Sequence, residues 1–134
     1  MDSVERLKVV LFSFGFKYGA PSDVNVLWDV RFLPNPYWVE KLKPNTGLVD
    51  EVAAYVLDSD GGRDFVNLLT PMVVFLVEQN KLAGKKNLRI AVGCTGGRHR
   101  SVAVVEALAG FLDNLQIELT LFHRDIERDV RDEA

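Results

Sequence analysis

The chain has 134 residues, 48% of them apolar, 26% charged and 10% aromatic, with a formal net charge of −3. That length suits one domain, and a domain of roughly 150 residues buries about 70% of the surface its unfolded chain exposes, so a core forms without disulfide or metal staples. Ten glycines and five prolines against this apolar fraction exclude collagen-like, mucin-like and disordered classes. The acidic balance argues against strong non-specific nucleic-acid binding, although it allows a local basic patch.

The longest apolar stretches, such as Met72 to Val77, fall far short of the roughly 20 residues that cross a bilayer. The opening MDSVERLKVV lacks the basic region and small-residue cleavage site of a signal peptide, and the single cysteine cannot form an intrachain disulfide. A cytoplasmic protein without membrane association is therefore expected. No repeat or low-complexity linker divides the chain, so residues 1–134 are read as one domain, with a charged, flexible tail over 125–134.

In chain order, Leu7 to Phe14 is β-branched and apolar and ends at Gly15, which predicts a buried strand. Gly15 to Asp23 has the Gly, Pro and Ser content of a loop. Val24 to Val30 predicts a second strand, followed by a segment in which Pro34 and Pro36 forbid helix and favour an extended, pinned course. Apolar residues at 48, 49, 52, 53, 56 and 57 have the spacing of an amphipathic helix over Leu48 to Leu57. A second helix is predicted from Gly62 to Leu82, kinked or broken at Pro71. Asn87 to Gly93 predicts a strand, Val102 to Leu115 a helix and Ile117 to Phe122 the last strand. The order β, β, α, α, β, α, β predicts an α/β fold with a small, mostly parallel sheet flanked by helices. In such sheets ligands sit beyond the carboxyl ends of the strands, where this sequence concentrates its polar residues.

The richest of those ends is Gly93-Cys94-Thr95-Gly96-Gly97-Arg98-His99-Arg100-Ser101, between a strand and a helix. Gly96 and Gly97 let successive N–H groups converge, the helix adds its positive end, and Arg98 and Arg100 add cationic donors. These features together predict an anion site, most naturally for a phosphate ester, phosphate or sulfate. Cys94 to Arg100 also spells C-x5-R, the spacing of cysteine-dependent phosphatases. That alternative makes Cys94 the nucleophile and Arg100 the phosphate clamp, and needs Asp29 as general acid. Otherwise Cys94 is a small residue closing the loop.

GCTGGRHRS, together with SFGFKYG, DVRFLPNPYW, the Thr46-Gly47 pair and HRD, resembles the C-terminal domain of the RNase adapter protein family (RapZ and YvcJ-type nucleotide-binding proteins) over essentially the whole chain. Family members carry an additional Walker A domain. No G-x-x-x-x-G-K-[ST] occurs here, so ATP or GTP binding does not transfer, and the chain is either a domain of such a protein or a stand-alone copy. The resemblance implies a fold similar to sugar-phosphate-binding domains of phosphofructokinase type. It also implies a regulatory role, with an amino-sugar phosphate (glucosamine-6-phosphate) held by Asp29, Cys94, Thr95, Gly96, Gly97, His99 and Arg100, and a small RNA as partner. Position 37 is Tyr, where the metabolite-sensing branch has histidine. The tail DIERDVRDEA mixes signs, where the RNA-presenting branch ends in a basic run. The first departure weakens transfer of that particular sugar, the second transfer of RNA binding.

The other polar residues carry two readings each. Asp29 either holds a sugar hydroxyl or amine, or pairs with Arg31 to pin its loop. Lys17 either reaches the anion or is solvated. Asn35-Pro36-Tyr37-Trp38 packs its loop on the core or, through Tyr37, meets the ligand. His99 donates to phosphate or caps the helix. His123 and Arg124 reach the site or bond the neighbouring loop. Ser101 closes the glycine motif as part of the same ligand set. One cysteine and two histidines so placed lack zinc spacing, so no metal and no cofactor is expected. A homo-oligomer is a further expectation.

Overall fold

The computed structural model describes residues 5–128. Four strands, β1 (Lys8–Gly15), β2 (Val26–Asp29), β3 (Asn87–Cys94) and β4 (Glu118–His123), form a single sheet in the order β2-β3-β1-β4. Every pairing is parallel, with Lys8 opposite Asn87, Lys8 opposite Glu118, and Val26 opposite Ile90. All four strands consequently end on one edge, at Gly15, Asp29, Cys94 and His123.

The period of two decides which layer each side chain enters. Val9 and Leu11 of β1 and Leu88, Ile90, Val92 and Cys94 of β3 join the main core cluster beneath the helices. The alternate residues Phe12, Phe14 and Ala91 point to the opposite face, where Phe16, Val24 and Leu27 pack on them. That second face is covered by the β1–β2 connection rather than by a helix. Phe12 also stacks on Phe122 with ring centres 4.7 Å apart.

Three helices close the main core: α1 (Asp50–Leu57), α2 (Asp60–Leu82) and α3 (Arg100–Leu112). Helix α2 starts where the Ser59 hydroxyl accepts from the Gly62 N–H at 2.9 Å, and buries Leu69, Val73 and Val77 along one stripe. Of the kink or break predicted at Pro71, the break does not occur, and the helix runs on through it. Pro71 and Asn67 are both exposed, so the carbonyl that loses its donor lies on the watered side while Leu69 and Val73 hold the inner face. Helix α3 is apolar on most sides, with Val102 to Val105, Leu108 and Leu112 buried, as befits the central helix over the sheet.

The other boundaries shift by a few residues. Strand β2 keeps only four of the seven residues expected to form it. The segment with two prolines is not wholly extended, because Pro36 opens a 3-10 turn, Pro36–Trp38. Proline is tolerated at a first helical position, where its missing N–H would have no partner, and the Asn35 side chain caps the turn by accepting from Tyr37 N–H at 3.1 Å. The tail expected from 125 onward begins instead with a buried residue. Asp125 is 0% exposed, because its carboxylate accepts from the Gly15 N–H at 2.8 Å and from Arg124 and Arg128. Residues 129–134 of that tail lie outside the described residues.

Leu108, 1% exposed, sits in this core, whereas Leu68 is 74% exposed on the outer face of α2. Leu108→Ala is expected to cost about 2–5 kcal/mol in urea unfolding. Leu68→Ala should stay within about 0.5 kcal/mol.

Candidate functional site

The segment from Cys94 to Arg100 turns from β3 into α3, and its path is set by close backbone packing. Gly97 has φ +78°, and a Cβ there would lie 2.6 Å from the Gly15 nitrogen. On the other flank Gly47 donates its N–H to the Arg98 carbonyl at 2.8 Å, and a Cβ on Gly47 would lie 2.4 Å from the His99 carbonyl oxygen. The turn is thereby held between the end of β1 and the 43–48 loop. Lys17 adds a backbone N–H to the Thr95 carbonyl at 3.1 Å.

Above the turn lies a concavity lined by Asn35, Tyr37, Cys94, Thr95, Gly96, Arg98, His99 and Arg100. Arg100 is 5% exposed. Its Nη1 donates to the carbonyls of Arg31 at 2.5 Å and Leu33 at 3.3 Å, and its Nη2 reaches the Thr95 hydroxyl at 3.4 Å. Its Nε is buried and has no partner among the described residues. All its partners are neutral; no carboxylate of the described residues lies within 4.0 Å of it, as an ion pair would require. Burying a cation in this way is costly unless a counter-charge arrives.

The other two basic side chains of the motif are used differently. Arg98 sends Nη1 to the Ile126 carbonyl at 2.8 Å and Nη2 to the Pro44 carbonyl at 3.1 Å, which ties three segments together. His99 makes no side-chain cap on α3. Its Nε2 is 3.1 Å from the Lys43 carbonyl, so that nitrogen carries the proton and donates. Burial pushes the His99 pKa down, reinforced by the positive charges of Arg98 and Arg100, while the carbonyls of Lys43 and Asn45 only partly oppose the shift.

Cys94 is 2% exposed at the floor of the concavity. Its sulfur accepts from the Ser101 N–H at 3.4 Å and lies 3.2 Å from the Ser101 hydroxyl, which in turn donates to the Phe14 carbonyl at 3.4 Å. Ser101 is thus a buried brace under the loop, away from the lining.

Gly97, packed against Gly15, and five further sequence candidates stand outside the lining. Asp29 is locked by Arg31, whose Nε and Nη2 contact its two oxygens at 3.0, 3.2 and 2.7 Å, with the Arg31 N–H adding a contact at 3.0 Å. The Arg31 guanidinium beside it holds the Asp29 carboxyl below the usual range, so it is ionised near neutrality. Arg31 itself lies over the Phe16 ring at 3.9 Å, and the Lys17 ammonium is 5.8 Å from the Tyr18 ring centre. His123 bridges the Ser13 hydroxyl and Glu106, each at 2.7 Å. Arg124 holds Asp125 at 2.8 Å and the Gly19 carbonyl at 2.7 Å. Apart from Lys17, these side chains tie the strand ends to neighbouring segments. Asn35, by contrast, lines the concavity, although the sequence named it only within a segment that packs its loop or stacks a ligand. The signal that could have found it was an Asn placed directly before Pro-x-x, a capping position.

The model of the RapZ C-terminal domain matches residues 7–127. The chain belongs to that family. Curated relatives named "Nucleotide-binding protein" agree. The one from Caldicellulosiruptor bescii is 45% identical over 96% of this chain and 44% of its own length. Those from Mycolicibacterium vanbaalenii and Streptomyces griseus are 42% and 44% identical over 96% of this chain, covering 40% and 39% of those proteins. The chain thus spans less than half the length of these curated relatives. In this RapZ-type domain, as in the sequence-based reading, the conspicuous residues crowd the carboxyl edge of a parallel sheet. No helix among the described residues is long and apolar enough to cross a membrane.

A pH dependence follows from His99. Unfolded, its imidazole takes a proton near 6.5; folded, its pKa is lower, so the unfolded state binds more protons below that point. Stability is therefore fully present above about 6.5 and falls as the pH drops toward the folded value. Thermal unfolding between pH 7 and 5 should show this loss. His99→Gln, which keeps a donor for the Lys43 carbonyl, should flatten the profile.

Proposed function

We propose that the chain is a cytoplasmic regulatory domain that binds a phosphorylated small molecule, a sugar phosphate above all, in the concavity over residues 94–100. The observation that carries this reading is Arg100. Its guanidinium is buried among neutral oxygens with an unpartnered Nε, beside a glycine turn at the start of a 13-residue helix. A phosphate supplies the missing negative charge, and amide N–H groups at a helix N-terminus favour it further. An RNA partner and a homo-oligomer rest on the family resemblance.

The binding reading is favoured over the cysteine phosphatase for want of an acid. A phosphatase must protonate its leaving oxygen, but Asp29 is held ionised by Arg31 and does not line the concavity. Cys94 is enclosed by the main core cluster and by Ser101.

Calorimetry with inorganic phosphate, sulfate and a hexose phosphate tests this. Wild type should bind, and Arg100→Ala should weaken binding about tenfold or more, since a charge-assisted hydrogen bond contributes roughly 1.5–3 kcal/mol. Because Arg100 also holds the 31–33 carbonyls, Arg100→Lys separates charge from loop support and should retain part of the affinity. Cys94→Ser should bind normally. Cys94-dependent turnover of an aryl phosphate would overturn the binding reading and establish the phosphatase.

A further inference from the structure

We propose that the outer face of α2 is an interface for a second copy of this chain, packed antiparallel along the same helix. The proposal rests on the homo-oligomer reading above, gives it a defined surface, and is independent of what fills the concavity. Phe65, Leu68, Met72, Phe75, Gln79 and Leu82 follow one another in alternating steps of three and four residues. That is the a/d repeat of a two-helix seam. Leu68, Met72, Phe75 and Leu82 are exposed, whereas the stripe that α2 buries, Leu69, Val73 and Val77, lies on its other face. Helix α2 therefore carries two apolar faces, and the outer one stays open from Leu68 to Leu82. From Phe65 to Leu82 the seam spans about 26 Å at 1.5 Å per residue. An ordered apolar strip of this kind marks an interaction surface.

Charge along the helix selects both the occupant and its direction. Near the start of α2, Asp58, Asp60 and Asp64 outnumber Arg63; near its end, Lys81, Lys85 and Lys86 outnumber Glu78. An antiparallel copy sets each acidic start beside the other's basic end and opposes the two helix dipoles. A parallel copy would set like charge beside like. The a/d ladder closes under the same two-fold axis. At its centre Met72 of one copy meets Phe75 of the other, sulfur against ring, and this happens twice by symmetry. Phe65 of one copy meets Leu82 of the other at both ends. Gln79 falls opposite Leu68, so no layer of the seam is polar on both sides. Each copy uses the same patch, and the assembly closes at two chains.

Sedimentation equilibrium of the full 134-residue chain over a wide concentration range tests this. Wild type is expected to pass from monomer to dimer as concentration rises, and to go no further. Phe75→Lys should weaken dimerisation about a hundredfold or more, because the two-fold axis removes two aromatic contacts at once. Phe75→Leu should retain most of the association. Phe75 is exposed in the single chain, so the thermal midpoint of both variants at high dilution should match wild type. Asp64→Lys should weaken the dimer about three- to tenfold, and adding Lys85→Glu should restore it. A wild type that stays monomeric at millimolar concentration overturns this interface and the homo-oligomer reading of the chain together. A dimer that survives Phe75→Lys leaves that reading standing and overturns the α2 interface alone. Failure of Lys85→Glu to rescue Asp64→Lys overturns the antiparallel arrangement.

Discussion

Backbone meets backbone where Gly15, at the end of β1, faces Gly96 and Gly97. A Cβ on Gly15 would lie 2.5 Å from the Gly96 carbonyl carbon, so side chains are barred from this contact. The Asp125 carboxylate then receives the Gly15 N–H, while Arg98 reaches back to the Ile126 carbonyl. On the far side, Gly47 repeats the same kind of approach against His99. The segments that end β1 and β4, the loop before α1 and the turn before α3 thus converge on one short stretch. What that stretch presents to a ligand depends on all of them.

Charge in this region is divided between two tasks. Asp125 shows the structural one: burial would raise its pKa, but the Arg124 guanidinium, the Gly15 amide and Arg128 outweigh it and hold the carboxyl below its ordinary 3.8. That stabilisation is present above the unfolded pKa and is lost as the pH falls through the folded one. Asp29 with Arg31, and Arg98 with its two carbonyls, serve the same end. Arg100 stands apart because, among the described residues, no carboxylate forms an ion pair with its buried charge. The imidazole of His99 stays neutral between two guanidinium groups, which keeps a third positive charge out of the same small volume.

Much of this was legible in the sequence, for definite reasons. The apolar runs of β1 and β3 are buried on both faces and so read as continuous, and the 3.6 period of α1 is visible at Val52 and Val56. The crowding of Gly, Arg and His between β3 and α3 marked the turn. Roles within the turn were harder. C-x5-R spacing does not reveal that Arg98 faces the 44 and 126 carbonyls while Arg100 faces those of 31 and 33, because the partners come from segments distant in sequence. Nor does it reveal that Asp29 and Arg31, which share a face of an extended segment, satisfy each other. Pro71 was overrated as a breaker because its exposure is a tertiary property. Asn35 was passed over because its capping role depends on where the 3-10 turn begins, which the two prolines left open.

The register of the sheet also governs when the site can exist during synthesis. Strand β1 is the first made, yet Lys8 lies opposite Asn87 on one side and Glu118 on the other. Contacts so distant along the chain carry a large loop-closure cost and fold slowly. Until β3 emerges from the ribosome, β1 has no neighbour, and its run from Val9 to Phe14 is an unpaired apolar edge open to wrong partners. Gly15 meets Gly97 only after that pairing, and Asp125 locks the contact later still. The concavity over the 94–100 turn is therefore completed only once β4 and Asp125 have emerged from the ribosome and closed on the end of β1.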